Sequence, residues 1–310
     1  MKYVFIVNRQ ARDGQLAMLW EKAEPTILAR LDDTQVCYPQ DARETRRLAA
    51  LHAARGDCCL VSVGGEGTMN LVVQGIIDSD ALDDVCMALI PFGNVNDYAA
   101  ALGMKKTWQS ALEALVQGQT RKVGLIEMIT PGTRNFALNI ADIGFGAATA
   151  KYHVIDRQLR WCKGRFKYNL LALKTLLHWK NVPARITIDD EVLEGDIVIA
   201  LAGFSPTLGG FRLLPQASVF DDRFAVTIGR DTSKREILKL LNAAKKDRIA
   251  QCEKVILTKA QRVVVEPRGE FVAMVDGEII DCHATRVEFV SHAQRLNFIV
   301  PAHSPVPEGS

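Results

Sequence analysis

Two stretches of the chain combine residue types suited to holding a polyanion. Gly64-Gly65-Glu66-Gly67-Thr68-Met69-Asn70 follows an apolar run and opens a stretch with helical patterning. Glycine lets a backbone approach a ligand closely, and the unpaired N–H groups of a helix start attract phosphate. The spacing is neither GxxxxGK[ST] nor GxGxxG, so two common nucleotide motifs are absent. A tight strand-to-helix turn with no ligand fits the same residues. The second stretch, Pro91-Phe92-Gly93-Asn94-Val95-Asn96-Asp97-Tyr98, also follows an apolar run. Taken alone, Asn96 or Asp97 reads as a helix cap. Two such loops leaving the carboxyl ends of parallel strands mark the sheet edge where ligands bind. Far downstream, Asp276-Gly277-Glu278 sits between apolar runs and by itself reads as a hairpin turn.

The elements that must position these loops follow from periodicity. Strands are expected at 3–7, 35–38, 58–63 and 85–90, alternating with helices at 15–31, 41–55 and 68–77, the first interrupted at Pro25. Gly56 reads as a stop for the second helix. This rhythm implies a parallel sheet covered by helices. After Arg121 strands dominate, at 123–129, 135–142, 184–188, 196–202, 223–228, 253–258, 262–266, 271–275 and 286–290. Helical inserts are expected at 153–180 and 233–250, and a turn at Asp189-Asp190-Glu191. The fold class is therefore α/β plus β: an N-terminal parallel-sheet α/β domain and a C-terminal, largely antiparallel β domain. The change of rhythm puts the boundary just after Arg121.

Composition narrows the class. The 310 residues, 48% hydrophobic and 24% charged, suit two globular domains and exclude a disordered or collagen-like chain. A net charge of +2 gives no global drive toward nucleic acid. Seven scattered cysteines without a CxxC pair suggest reduced thiols in a cytoplasmic protein rather than a disulfide framework or zinc site. His52, His153, His178, His283 and His292 are isolated, with no metal-ligand spacing. Residues 151–180 carry eight Lys or Arg against the single acid Asp156, with Trp161, Phe166, Tyr168 and Trp179 among leucines. A solvated packed helix fits this pattern, and so does transient docking on the inner membrane surface.

The ordered set of motifs resembles the diacylglycerol kinase catalytic-domain family, which includes bacterial lipid kinases and sphingosine kinases. GGEGTMNLVVQGI and PFGNVNDYAAALG are similar to the family's GGDGTxNEVxNG and PxGTxNDFAxxLG. Ile143-Gly144-Phe145-Gly146, the segment Leu208-Gly209-Gly210-Phe211 with Leu214-Pro215-Gln216-Ala217, and Asp276-Gly277-Glu278 match later family motifs in order. The resemblance implies transfer of the γ-phosphate of ATP to a lipid hydroxyl, with Mg²⁺. It also implies that the N-terminal parallel-sheet α/β domain, 1–123 completed by a returning tail at 292–303, is a nucleotide domain, and that 124–291 is a C-terminal antiparallel β-sandwich domain. It places nucleotide on Asn8, Gly64, Gly65, Gly67, Thr68, Asn70, Gly93, Asn94 and Asn96. Glu278 matches the proposed general base, and Glu66 and Asp97 are the candidate magnesium ligands or water anchors. A structural cation site of bacterial relatives maps to the side chain of Asp221 and the carbonyls of Ser218 and Arg223; an exposed turn fits the same residues.

Several positions depart from the family pattern. Glu66 stands for Asp, Leu71 for Glu, Asn94 for Thr, Gly124 for Asp and Phe204 for a polar residue, while Arg9 and Arg12 replace a Pro and a Gly. Losing acids near a cation–phosphate cluster weakens cation binding. A second expectation is therefore a relative that binds nucleotide or lipid without turnover. An NAD kinase is disfavoured by the PFGNVNDYAAALG and LGGFRLLPQA segments. The acceptor is a lipid of unspecified class, a homodimer is left open, and no nucleic-acid partner is expected.

Overall fold

The structure is a computed structural model describing residues 1–12, 14–117, 119–155 and 164–304. It divides into two compact units: Met1–Leu125 with Ser218–Asp221 and His292–Ser310, and Ile126–Ala217 with Asp222–Ser291.

In the first unit β1 (Lys2–Val7), β2 (Thr34–Cys37), β3 (Cys58–Gly64) and β4 (Cys86–Pro91) run parallel, and every residue of β3 and β4 is buried. The sheet order is β2-β1-β3-β4, then the returning strand Leu296–Ile299, then β5 (Thr120–Val123) antiparallel to it. Helix α1 (Gln15–Leu28) buries Leu16, Trp20, Ala23 and Ile27, one stripe at helical spacing. It runs through Pro25 and stops at Leu28, not at 31 with a break at the proline. Pro25 lies on the exposed face, where the carbonyl it leaves unpaired can be hydrated while the opposite stripe holds the helix. Helix α2 (Ala42–Ala53) begins at Asp41, whose side chain accepts the Glu44 N–H at 2.7 Å, and α3 (Glu66–Asp78) begins directly behind β3. The short α4 (Asp97–Ala101) and α5 (Trp108–Gln117), neither expected from periodicity, follow β4.

The apolar run at 123–129 is two strands. Gly124 donates its N–H to the Val219 carbonyl, which breaks the ladder, so β5 ends in the first sheet and β6 (Ile126–Thr130) begins the second unit. That unit continues with β7 (Thr133–Ala137), β8 (Ile140–Gly144), α6 (Phe145–Ile155), α7 (Gly164–His178), β9 (Val182–Ile188), β10 (Glu191–Gly203) and the short pair β11 (Thr207–Leu208) and β12 (Phe211–Arg212). Then come β13 (Phe224–Arg230), α8 (Lys234–Lys245), β14 (Val255–Ala260), β15 (Arg262–Pro267), β16 (Phe271–Val275), β17 (Glu278–Ala284) and β18 (Val287–Ser291). The main sheet has the order β17-β16-β8-β10-β9-β15-β18-β6-β7, all antiparallel, with β13 and β14 branching from β10. It curls around Ala141, Ile143, Phe204, Phe224, Val263 and Phe289 as a β-sandwich core. Its other face meets the helices through Phe145, Val198 and Ile237. The expected strand 135–142 is also split, at Leu138 and Asn139, whose N–H groups turn toward the Asp276 carboxylate. The turn at Asp189-Asp190 forms as expected, with Ile188 opposite Glu191.

Candidate active site

Three strand ends of the first unit converge on one edge. Gly64 pairs with Pro91 where β3 and β4 stop, and the Phe92 N–H donates to the Gly64 carbonyl at 2.9 Å. The loops behind these strands touch through glycine: a Cβ at Gly93 would lie 2.7 Å from the Gly65 Cα. Gly65 also starts α3 with no side-chain cap, leaving first-turn N–H groups without the usual capping oxygen. From the end of β1, Asn8 donates through Nδ2 to the Thr68 hydroxyl at 3.0 Å, accepts the Gln10 N–H, and donates its own N–H to the Val63 carbonyl. Asn8, Gly64, Gly65 and Thr68 thus meet in one place.

The second loop is held from within. Asn96, in the left-handed region at φ 54, donates through Nδ2 to the carbonyls of Pro91 and Gly93 at 3.2 and 3.0 Å. Glu66 reaches across, its Oε1 accepting the N–H groups of Asp97 and Tyr98 at 2.8 and 3.3 Å, so it caps α4 from the neighbouring loop. Asp97, 2% exposed, lies 3.0 Å through Oδ1 from the Lys106 ammonium, which also donates to the Val95 carbonyl at 2.7 Å. A small cleft between the loops is lined by Gly64, Gly65, Glu66, Pro91, Asn96 and Tyr98. Asn94 stands exposed at the loop tip. Asn70 is buried, its Oδ1 accepting from Gln74 along α3 at 3.4 Å.

In the second unit Asp276 and Gly277, at φ 47 and 94, form the two-residue turn between β16 and β17. Asp276 is buried, and its carboxylate accepts three N–H groups, from Leu138, Asn139 and Ile140, at 2.9–3.0 Å. Glu278 leaves this anchored turn exposed. On the neighbouring β8, Asp142 is wholly buried, neither oxygen having a hydrogen bond of normal geometry. Burial pushes its carboxyl up to about 8, offset only in part by the Ala147 N–H. The sheet face bearing Leu201, the cross-strand partner of Asp142, opens beneath α8 into a small apolar cleft walled by Phe145, Val198, Leu201, Leu213, Ile237 and Leu241. Among the described residues its one polar wall residue, Thr227, spends its hydroxyl on the Leu213 carbonyl at 2.6 Å.

Comparison with known proteins decides the family. Residues 2–128 match the diacylglycerol kinase catalytic domain, and residues 141–298 match the YegS C-terminal NAD kinase beta sandwich-like domain. The chain belongs to the diacylglycerol kinase catalytic-domain family. It is 26% identical over 265 residues to a diacylglycerol kinase of Staphylococcus saprophyticus, covering 84% of both chains. With that of Staphylococcus haemolyticus it shares 27% over 267 residues, 84% of this chain and 78% of the other. The fold matches the crystal structure of a diacylglycerol kinase from Bacillus anthracis with a TM-score of 0.73 at 19% identity, covering 98% of each chain.

Within the diacylglycerol kinase family, the departures in this chain now have places. Phe204 is 1% exposed and packs edge-on to Phe224 in the sandwich core. Gly124 sits at the crossing between units, donating to Val219. Arg9 turns to Glu21 at 2.7 Å and lies over the Tyr38 ring, away from Thr68's partner Asn8. Of the expected cation ligands, Ser218 gives its carbonyl to the Asp221 N–H, and Arg223 pairs with Asp189 at 2.6 Å. Among the described residues no group of three or more His, Cys, Asp or Glu could hold a metal ion. Glu66 and Asp97 each have an oxygen engaged, by backbone N–H groups and by Lys106, so the residues present do not fit a resident magnesium ion.

Sequence reasoning missed Lys106, Asp142 and the anchoring role of Asp276. The Asp276 role was accessible from its position in a turn, because Asp in a left-handed turn commonly bonds nearby N–H groups. No local pattern marks the other two.

Proposed function

We propose that this chain is an ATP-dependent lipid kinase. The observation that carries the reading is the Gly65–Gly93 contact, which brings two glycine loops and an uncapped helix start onto one edge of a parallel sheet. Triphosphate oxygens sit at the start of α3, and Asn8 and Thr68 shape the floor. Magnesium enters with the nucleotide, as the MgATP substrate. Glu278, exposed on a turn that Asp276 fixes, accepts the proton of the acceptor hydroxyl; that oxygen forms the new bond to the γ-phosphorus while the bond to the β–γ bridging oxygen breaks and ADP leaves. The apolar cleft beneath α8 suits the acyl part of the acceptor, since nothing in its wall needs a polar partner.

Membrane docking through 151–180 belongs to the same proposal. Residues 156–163 of that stretch lie outside the described residues; in α7, Leu173 and Leu177 are 46% and 65% exposed, with Lys180 exposed just beyond. A leucine face with cations beside it suits an anionic bilayer surface, where the acceptor resides. Among the described residues no helix is long and apolar enough to cross a membrane.

The test is transfer of labelled γ-phosphate from ATP to vesicles containing diacylglycerol, a sphingoid base or phosphatidylglycerol, with wild type and Glu278→Ala. Label in one lipid class, abolished by Glu278→Ala, is expected. A second reading, a relative that binds without turnover, draws on Phe204 in the core and Lys106 on Asp97. Wild type that binds ATP by calorimetry yet labels no lipid would favour it.

A further inference from the structure

The first unit contains a cation of its own where the family chemistry calls for one. Asp97 is almost wholly buried, and a buried carboxylate needs a counter-charge or hydrogen bonds. Lys106 supplies both, its ammonium 3.0 Å from Asp97 Oδ1 and 2.7 Å from the Val95 carbonyl. The position of Lys106 is set by the start of α5, not by chance on a free tail. The neighbouring Lys105 N–H donates to the Ser110 hydroxyl, the Thr107 N–H donates to the Lys105 carbonyl, and the Thr107 hydroxyl accepts the Ser110 N–H. The side chain is 43% exposed, and through the Val95 carbonyl its ammonium is held against the loop that carries Asn94 and Asn96. Meanwhile Glu66 spends an oxygen on two backbone N–H groups.

We propose that Lys106 is the built-in counter-cation of this nucleotide site: it occupies Asp97 in place of a metal ion and lends its charge to bound triphosphate. The inference rests on the nucleotide reading above for the second half of that statement alone. Two consequences follow. A divalent ion has to displace an ammonium to reach Asp97, so the free protein binds such ions poorly. Triphosphate, in turn, finds a positive charge already in place, so its binding depends less on added metal than a site built from carboxylates alone would. Toward Asp97 and its loop Lys106 is a positioning residue; toward triphosphate it acts directly, through its charge.

The test uses the full chain and Mn²⁺ as the probe, followed by the loss of the free-ion electron paramagnetic resonance signal without nucleotide. Lys106→Gln removes the charge but can still donate to the Val95 carbonyl, Lys106→Arg keeps the charge, and circular dichroism checks that each is folded. Wild type and Lys106→Arg should bind Mn²⁺ weakly, and Lys106→Gln about tenfold more tightly, a gain cancelled by adding Asp97→Asn. In parallel, calorimetry with ATP should show the ratio of the affinity in magnesium to that in chelator rising about tenfold in Lys106→Gln. Wild type that already binds Mn²⁺ as tightly as Lys106→Gln would overturn the proposal, whatever ATP does. An unchanged affinity ratio in Lys106→Gln would reduce Lys106 to a structural contact and overturn it too. A Mn²⁺ difference with no ATP binding by any variant would retain the counter-cation at Asp97 and sink the nucleotide reading instead.

Discussion

Asp276 and Asp142 lie on neighbouring elements of the same sheet and are both buried, yet they are kept in opposite ways. Met274 pairs with Asp142, and two residues on, Asp276 donates its N–H to Ile140 and takes three N–H groups in return. Asp142 has no hydrogen bond of normal geometry, and burial lifts its carboxyl to about 8. Both side chains are buried, Asp142 at 0% and Asp276 at 6% exposure. What differs is the supply of donors: the split between β7 and β8 frees N–H groups that a continuous strand would have used in its ladder, and Asp276 uses them. Asp142 lies within a strand whose N–H groups are already paired on both sides, with Met274 and Leu201. A carboxylate can be an anchor only where the backbone is irregular.

The largest effect should come from Asp276→Asn. Asparagine tolerates the left-handed turn conformation, so backbone strain is not the cause of any loss. The amide turns one acceptor into a donor facing donors, and the expected cost is about 3 kcal/mol, seen as a lower midpoint in urea with an unchanged slope. A loss below about 1 kcal/mol would mean that the three contacts contribute little and that the contrast with Asp142 is one of geometry alone.

Asp142 predicts a pH effect of defined sign. Its folded value lies above its unfolded value, so the folded protein holds a proton that the unfolded chain releases. Its contribution is complete below about 4 and is lost as pH rises toward 8. Between about pH 5.5 and 7 the loss is at most about 2 kcal/mol, from 1.4 kcal/mol per unit. Asp142→Asn should remove that slope, which thermal melts of the two proteins across pH would reveal. Parallel melting curves would mean that Asp142 is ionised in the fold, held by the Ala147 N–H and the start of α6.

These two residues also mark the limits of sequence reading. The parallel sheet, the glycine loops and the Asp276-Gly277 turn are local patterns, and they fold as their residues dictate. The splits at 124 and 138 were illegible because an apolar run reads as one strand whether it serves one sheet or two; only remote partners, Val219 and Asp276, interrupt the ladders. β17 was missed for a related reason: its sequence EIIDCHA lacks clean alternation, and its place at the sheet edge relaxes the need for it. Lys106 meets Asp97 through a turn whose course no spacing rule supplies, and Asp142 looked like any strand residue beside a glycine pair.

The smallest effect on stability should be at Glu278, two residues from Asp276. It is exposed, and Glu278→Gln should leave the unfolding midpoint within about 0.5 kcal/mol of wild type. Phosphate transfer should nevertheless fall about 100-fold or more, because the amide cannot accept the hydroxyl proton. The pair of measurements separates the residue that holds the turn from the one the turn presents. Should Glu278→Gln destabilise as much as Asp276→Asn, Glu278 would be part of the anchor, and its candidacy as the base would lose its footing. Stability untouched and transfer lost would instead show why a buried, donor-rich aspartate is found beside an exposed glutamate: the first fixes the backbone so that the second can stay free to take a proton.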